Sequence, residues 1–380
     1  MPSVSIVRVA ERDAAGVAAG VRQAIALAGG LADLVRPGMR VMIKPNLVAP
    51  PPAPDSGACT SPLVCRAVAD LVRELGGEPI IAESSARGAD TEAAYRLLGY
   101  DALRRDGYQV VDLKQDRTVK VTLTRGRILR EITTFELVTR MDAIISVPIL
   151  KTHDQGQVTL ALKNLKGLVT DADKRRIHLE GMFEGVVDLA GHFQPCFAVV
   201  DGLIGQEGMG PLLGLPVDMG LILAGRDLVA LDTVAGRVMG FAPEEVPITV
   251  AAAASGLGIL DESAIAVVGE PVAAVARRFV RAEEDGRIDS QDICILQSQG
   301  TCTGCRNGLL SSLFDMRAAG TLARARGTTV VAGPTPLPDD IPQERLVSIG
   351  SCALTEARRL PRHVRGCPPN NADIIRALTE

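Results

Sequence analysis

The chain has 380 residues, a formal net charge of -4 and 47% hydrophobic side chains, a balance that suits two or three globular domains with well-buried cores. With no tryptophan, three tyrosines, seven phenylalanines and no basic excess, it offers nucleic acid neither a stacking platform nor an attractive field. Apolar runs such as 251–254 and 264–268 are too short for a bilayer, and the start lacks a basic region followed by an apolar stretch, so the expectation is a cytoplasmic protein with no membrane partner.

Short β-branched runs alternate with helical patterns, which predicts an α/β fold: a main domain built on a largely parallel twisted sheet with a β-hairpin excursion, plus a small C-terminal α/β domain. Strands are expected at 3–9, 41–44, 79–83 and 109–113. A helix is expected at 62–75, opened by Ser61 as N-cap and closed by Gly76-Gly77. Residues 117–124 and 128–135 alternate across Arg125-Gly126-Arg127 and read as the hairpin. Further strands follow at 143–148, 197–201, 220–224 and 264–268. The charged stretch 277–290 reads as a linker between a main domain (1–276) and a cysteine-rich domain (291–380). Beyond it, strands at 293–297, 328–332 and 346–349 and helices at 309–319 and 372–378 place the cysteine motifs just after strands, at the carboxyl edge of a small parallel sheet.

Two constellations carry chemistry. In the main domain an apolar run ends in Lys151-Thr152-His153, which delivers a cation and an imidazole to the carboxyl edge of the sheet. Lys163 and Lys166 lie three apart and would share a helix face beside Asn164, while Lys44 and Asn46 leave another strand and His178 follows a basic run. Taken singly, each lysine could be part of a solvated face. Gathered together in an acidic protein, they point to a pocket for an anionic small molecule such as a carboxylate or phosphate, with Glu83, Asp201, Asp227 and Asp232 as balancing carboxylates.

In the C-terminal domain Cys302 and Cys305 form a Cys-x-x-Cys pair, with Cys352 and Cys367 on separate loops. Four soft thiolates of this kind suit a [4Fe-4S] cluster, and the proline after Cys367 fixes the turn behind a ligand. Structural zinc also accepts four thiolates, although ribbon sites usually bring two Cys-x-x-Cys knuckles. Disulfides would need an oxidising compartment. The remaining cysteines, Cys59, Cys65, Cys196 and Cys294, read as small buried side chains.

The order Gln297-Ser-Gln-Gly-Thr-Cys-Thr-Gly-Cys305, Val347-Ser-Ile-Gly-Ser-Cys-Ala353 and Gly366-Cys-Pro-Pro-Asn370 resembles the proximal-cluster domain of nickel-iron hydrogenase small subunits. That resemblance implies one [4Fe-4S] cluster on Cys302, Cys305, Cys352 and Cys367, and not hydrogenase activity. A second resemblance covers about residues 40–270. Met42-Ile-Lys-Pro-Asn-Leu47, Ile149-Leu-Lys-Thr-His153, Ala161-Leu-Lys-Asn-Leu-Lys-Gly167, Asp201-Gly202 with Glu207-Gly-Met-Gly-Pro211, and Asp227-Leu-Val-Ala-Leu-Asp232 look like the family called domain of unknown function 362. It implies an iron-sulfur-associated cytoplasmic protein, without naming a reaction. A fainter likeness in the strand and helix pattern is to the N-terminal domain of lactate-racemase-type enzymes.

The expectation is therefore an iron-sulfur oxidoreductase acting on an anionic small molecule. His153, Lys151 and Lys163 would be catalytic, His153 as proton donor, while Lys44, Asn46, Asn164, Lys166 and His178 bind substrate. A redox partner such as a ferredoxin and a homo-oligomeric state are compatible with it. Two alternatives stay open: an electron-transfer subunit without its own substrate, and a non-redox isomerase or lyase using the cluster or another metal as a Lewis acid.

Overall fold

The computed structural model describes all residues except 286–292, 299–300 and 302, together with the side chains of 179, 283, 303, 304 and 307. It divides into two compact units: Met1–Lys174 with Phe183–Phe279, and Arg175–Met182 with Val280–Glu380. The break between Phe279 and Val280 falls inside the charged stretch read as a linker. The transfer of 175–182 to the second unit has no signature in composition.

The first unit is built on a sheet of β1 (Ser3–Arg8), β2 (Arg40–Pro45), β3 (Glu78–Glu83), β4 (Gln109–Asp112), β7 (Ala143–Val147), β8 (Ile149–His153), β9 (Gln157–Thr159), β10 (Phe197–Glu207), β11 (Leu215–Gly225) and β12 (Ala266–Gly269). Its order is β12-β1-β11-β10-β7-β2-β3-β4, with β8 and β9 attached beyond β10. Neighbours pair in parallel except around β11 and in the β8–β9 hairpin. The chain is thus α/β with a largely parallel sheet. The expected hairpin is β5 (Thr118–Thr122) with β6 (Glu131–Phe135), which pair with each other and not with the main sheet.

Local chemistry explains the elements that flank the site. The helix Pro62–Glu74 starts where Ser61 accepts from Leu63 N and proline fills the first turn, and it buries Val64, Ala67, Val68 and Val72 at helical spacing. One sequence run splits in two at Pro148, which has no N–H for the ladder. The long strand β10 consequently pairs first with β7 (Phe197↔Ile145) and then with β8 (Gln206↔Lys151), and Pro148 O accepts from Asp201 N at 2.8 Å. Lys151 and His153 lie within a second strand as a result.

Asp188 organises the connection between β5 and β6: its carboxylate accepts from Arg127 N (2.8 Å), Ile128 N (2.9 Å) and Leu129 N (2.8 Å). Asp188→Ala would leave these three amides without that acceptor. It is expected to lower stability by about 2–3 kcal/mol in chemical denaturation, and an unchanged midpoint would show that water replaces the carboxylate at no cost.

The second unit has its own parallel sheet, β13 (Cys294–Gln297), β14 (Thr329–Ala332), β15 (Leu346–Ile349) and β16 (His363–Val364), in sequence order. The helices Thr303–Ala318 and Asn371–Thr379 contribute Leu309, Leu313, Ile374 and Leu378 to a core shared with Val330, Val347 and Ile349. Cys59 and Cys65 are buried as expected and Cys196 is half-buried. Cys294 is exposed, because it opens the edge strand of this small sheet.

Candidate functional site

At the carboxyl ends of β2, β3 and β8 the sequence gathers many charges in one place. Lys44 is fully buried, and its ammonium donates to Glu83 Oε2 (2.7 Å), Pro45 O (2.9 Å) and Asn164 Oδ1 (3.0 Å). With all three protons used, Lys44 is a buried structural cation and not the ligand-facing lysine expected from its strand-end position. Asn164 is equally committed: its Nδ2 donates to Lys44 O and Ser146 Oγ, both at 3.0 Å. These contacts need Gly167. A Cβ there would lie 1.9 Å from Glu83 Oε1 and 2.6 Å from Lys44 Nζ. Asn46 is half-buried, donates to Asn164 Oδ1 at 3.2 Å and keeps a buried Oδ1 with no partner among the described residues.

Lys151 is also fully buried, yet no carboxylate pairs with it among the described residues. Its ammonium donates to Ala58 O (2.6 Å) and Pro211 O (3.0 Å), so it fastens the proline-rich loop to the segment after β10, and desolvation brings its pKa down to about 8. His153 is buried beside it. Its Nδ1 lies 3.0 Å from Gln155 N and 2.8 Å from Asp154 Oδ1. The amide can only donate, so Nδ1 accepts it and the neutral ring carries its proton on Nε2. Burial, with Lys163, Lys166 and Lys151 nearby, holds the imidazole well below its ordinary pKa. Burial therefore favours the uncharged ring of His153, whose Nε2 can donate a hydrogen bond.

Lys163 lies in a one-turn helix, Ala161–Asn164, and Lys166 in the 3-10 turn Leu165–Leu168 that follows. Both are half-buried. Burial and its cationic neighbours Lys166 and Lys151 depress the pKa of Lys163 strongly, against the pull of Asp154. Lys166 is lowered to about 7 by burial and by Lys174, again with Asp154 opposing. These mutual influences place Lys151, His153, Asp154, Lys163 and Lys166 within one electrostatic neighbourhood.

The balancing carboxylate is Asp154, which sequence reading missed, although it directly follows His153. Of the four carboxylates expected in that role, Glu83 does balance a lysine of the set, Lys44, and the other three are engaged elsewhere. Glu83 holds Lys44, and Asp201 accepts from Ser61 N and Leu203 N at the start of the helix Pro62–Glu74. Asp232 caps the short helix of Lys163 through Ala161 N and Leu162 N, and Asp227 caps its own helix, Leu228–Val238. Lys174 was also missed. It is buried and donates to Ser84 O, Ser84 Oγ, Ser85 O and Asp171 Oδ1, and its pKa falls to about 8. The pair Ser84-Ser85 after β3 was the available signal.

His178 does not join this group. It belongs to the second unit, where its carbonyl accepts from Cys367 N at 2.6 Å. There Cys305 is buried in the first turn of its helix, while Cys352 and Cys367 are exposed after β15 and β16. A Cβ on Gly350, whose φ is +108°, would lie 3.0 Å from Cys305 Sγ, so that sulfur rests against the loop carrying Cys352. Ser351 N donates to Gly366 O at 2.8 Å and ties the same loop to the one carrying Cys367. Cys302 lies outside the described residues, and among the described residues no three His, Cys, Asp or Glu side chains form a metal-holding group.

The first unit is thus an α/β domain with a lysine-rich site at its carboxyl edge. A family model, domain of unknown function DUF362, matches residues 41–237, and the chain belongs to that family. It is 31% identical over 263 residues to the thylakoid-associated protein sll1697 of Synechocystis sp., covering 67% of this chain and 80% of that protein. The lactate racemase apoprotein of Thermoanaerobacterium thermosaccharolyticum aligns over 88% of this chain and 69% of its own, with 13% identity and a TM-score of 0.41. Among the described residues no helix is long and apolar enough to cross a membrane.

Proposed function

We propose that this protein is a cytoplasmic iron-sulfur oxidoreductase that acts on an anionic small molecule and receives or passes electrons through a ferredoxin-like partner. The observation that carries the reading is the set of Lys151, Lys163 and Lys166 around a neutral His153, with Asp154 as the carboxylate that acts on it. Buried ammonium groups that depress one another's pKa are costly without an anion, and perturbed groups of this kind concentrate at functional sites. Lys166 would bind the ligand's charge beside Lys163, Asn46 Oδ1 would accept from it, and His153 would hold or take a proton at its imidazole. Lys44, Asn164 and Gly167 position the floor beneath them.

Support for a [4Fe-4S] cluster in the second unit comes from the donor chemistry of Cys305, Cys352 and Cys367 and from the tied loops that carry the last two, with Cys302 as the fourth ligand. Ser351 Oγ, buried and without a partner among the described residues, is placed on the same loop as Cys352 and could donate to a sulfur there. When bound, such a cluster supplies one-electron transfer. Protein prepared anaerobically should contain about four irons and four sulfides per chain and give a paramagnetic signal on reduction. Cys352→Ser should lose most of that iron, whereas Cys196→Ser should keep it. Stoichiometric zinc without iron in anaerobically prepared protein would refute the cluster.

A further inference from the structure

The buried lysines of the first unit are fastened, with one exception. Lys44 donates to three acceptors, Lys151 to two carbonyls and Lys174 to four oxygens. Lys166 also has its own interactions. Lys163 Nζ makes no hydrogen bond and no ion pair among the described residues, although Lys166, Lys151, His153 and Asp154 all act on it electrostatically. It is half-buried, so it is partly desolvated and still reachable from solvent. The Asp232 carboxylate, by accepting from Ala161 N and Leu162 N, holds the short helix on which it sits. A half-buried lysine without fixed partners, held among cations, has what an amine nucleophile needs: a shift toward the free amine and no bonds to break before attack.

We propose that Lys163 forms a Schiff base with the carbonyl carbon of a 2-oxo acid whose carboxylate is held by Lys166. This rests on the anion-site reading given above and names the ligand class for it. The neutral amine attacks the carbonyl carbon, forming a C–N bond as the C=O π pair moves to oxygen. Two protons from nitrogen leave with that oxygen as water, and a C=N bond remains. No oxidant or reductant is consumed. His153, neutral with its proton on Nε2, is the nearby group able to relay a proton during dehydration. Burial and the cations Lys166 and Lys151 displace the ammonium of Lys163 toward the free amine, against Asp154.

The test is reductive trapping. Full-length protein is incubated with pyruvate and cyanoborohydride, with and without oxalate, and digested for mass spectrometry; oxalate binding is measured separately by calorimetry. One reduced pyruvyl adduct should appear at Lys163, be suppressed at least tenfold by oxalate and be absent from Lys163→Arg, whose folding is checked by circular dichroism. Lys166→Gln removes a repelling charge and should move the pH of half-maximal trapping upward, whereas Asp154→Asn should move it downward. A merely structural Lys163 would give no such shifts. Oxalate binding without any adduct at Lys163 overturns the Schiff base and leaves the anion site standing. Failure of both overturns both.

Discussion

Glu83→Ala should destabilise the protein by about 3–5 kcal/mol, among the largest losses any single substitution here can produce. Glu83 and Lys44 are both buried and meet at 2.7 Å, and Glu83 also accepts from Leu47 N at 3.3 Å and Ser84 N at 2.7 Å. Removing the carboxylate leaves an ammonium in the interior with only Pro45 O and Asn164 Oδ1. Burial already pushes the Lys44 pKa down, and Glu83 is the main opposing influence. Lys44→Met should cost a similar amount for the mirror reason. The double variant Lys44→Met with Glu83→Ala should recover much of the loss, because it leaves no uncompensated charge. Gly167→Ala belongs to the same series, since its methyl would sit between the partners. Denaturant midpoints of the four variants are the measurement. Strictly additive losses from the two single substitutions would show that the pair is not coupled.

Stability of the ligand-free protein should pass through a minimum near pH 7 as far as its buried ionisable groups control it. Asp201 and Asp232 have pKa values raised by desolvation to about 6 and about 7. A carboxyl group with a raised folded-state value contributes stability that is present below about pH 4 and lost as pH rises through the folded value. Lys166, Lys151 and Lys174 have values lowered to about 7, about 8 and about 8. A lysine with a lowered folded-state value has its stability fully present above the unfolded value of about 10.4 and loses it as pH falls through the folded one. Destabilisation therefore accumulates from both sides toward neutrality, at about 1.4 kcal/mol for each pH unit of displacement per group. An anion at Lys163 and Lys166 favours their charged forms, so a bound dicarboxylate should raise stability at and below neutrality, where those forms prevail, and add little by pH 10, while the slope set by the aspartates keeps its shape. Melting temperature from pH 5 to 10, with and without oxalate, checks this. A uniform rise at all pH values would mean that the anion binds away from these lysines.

The sequence determined the class of fold, because strand and helix patterns are local: β-branched runs of four to six residues, N-caps such as Ser61, and glycines that end helices specify elements without reference to distant partners. It also determined that Lys151, His153, Lys163 and Lys166 would share a neighbourhood, since strand ends and the following turns collect at one edge of a parallel sheet. Whether a lysine faces a ligand or the core is not a local property. Lys44 and Lys151 leave strands in the same way as a ligand-binding lysine would, but Glu83 on the neighbouring strand captures the first and the carbonyls of Ala58 and Pro211 capture the second. Asp201 and Asp232 were likewise committed by tertiary contact to backbone amides rather than to lysines, whereas Asp227 caps the helix that directly follows it. His178 went to the second unit because 175–182 packs there, a choice made by long-range contacts that no spacing in the chain encodes. The downward pKa shifts of Lys163 and His153 arise only from that assembly, because desolvation and charge proximity do not exist in the extended chain.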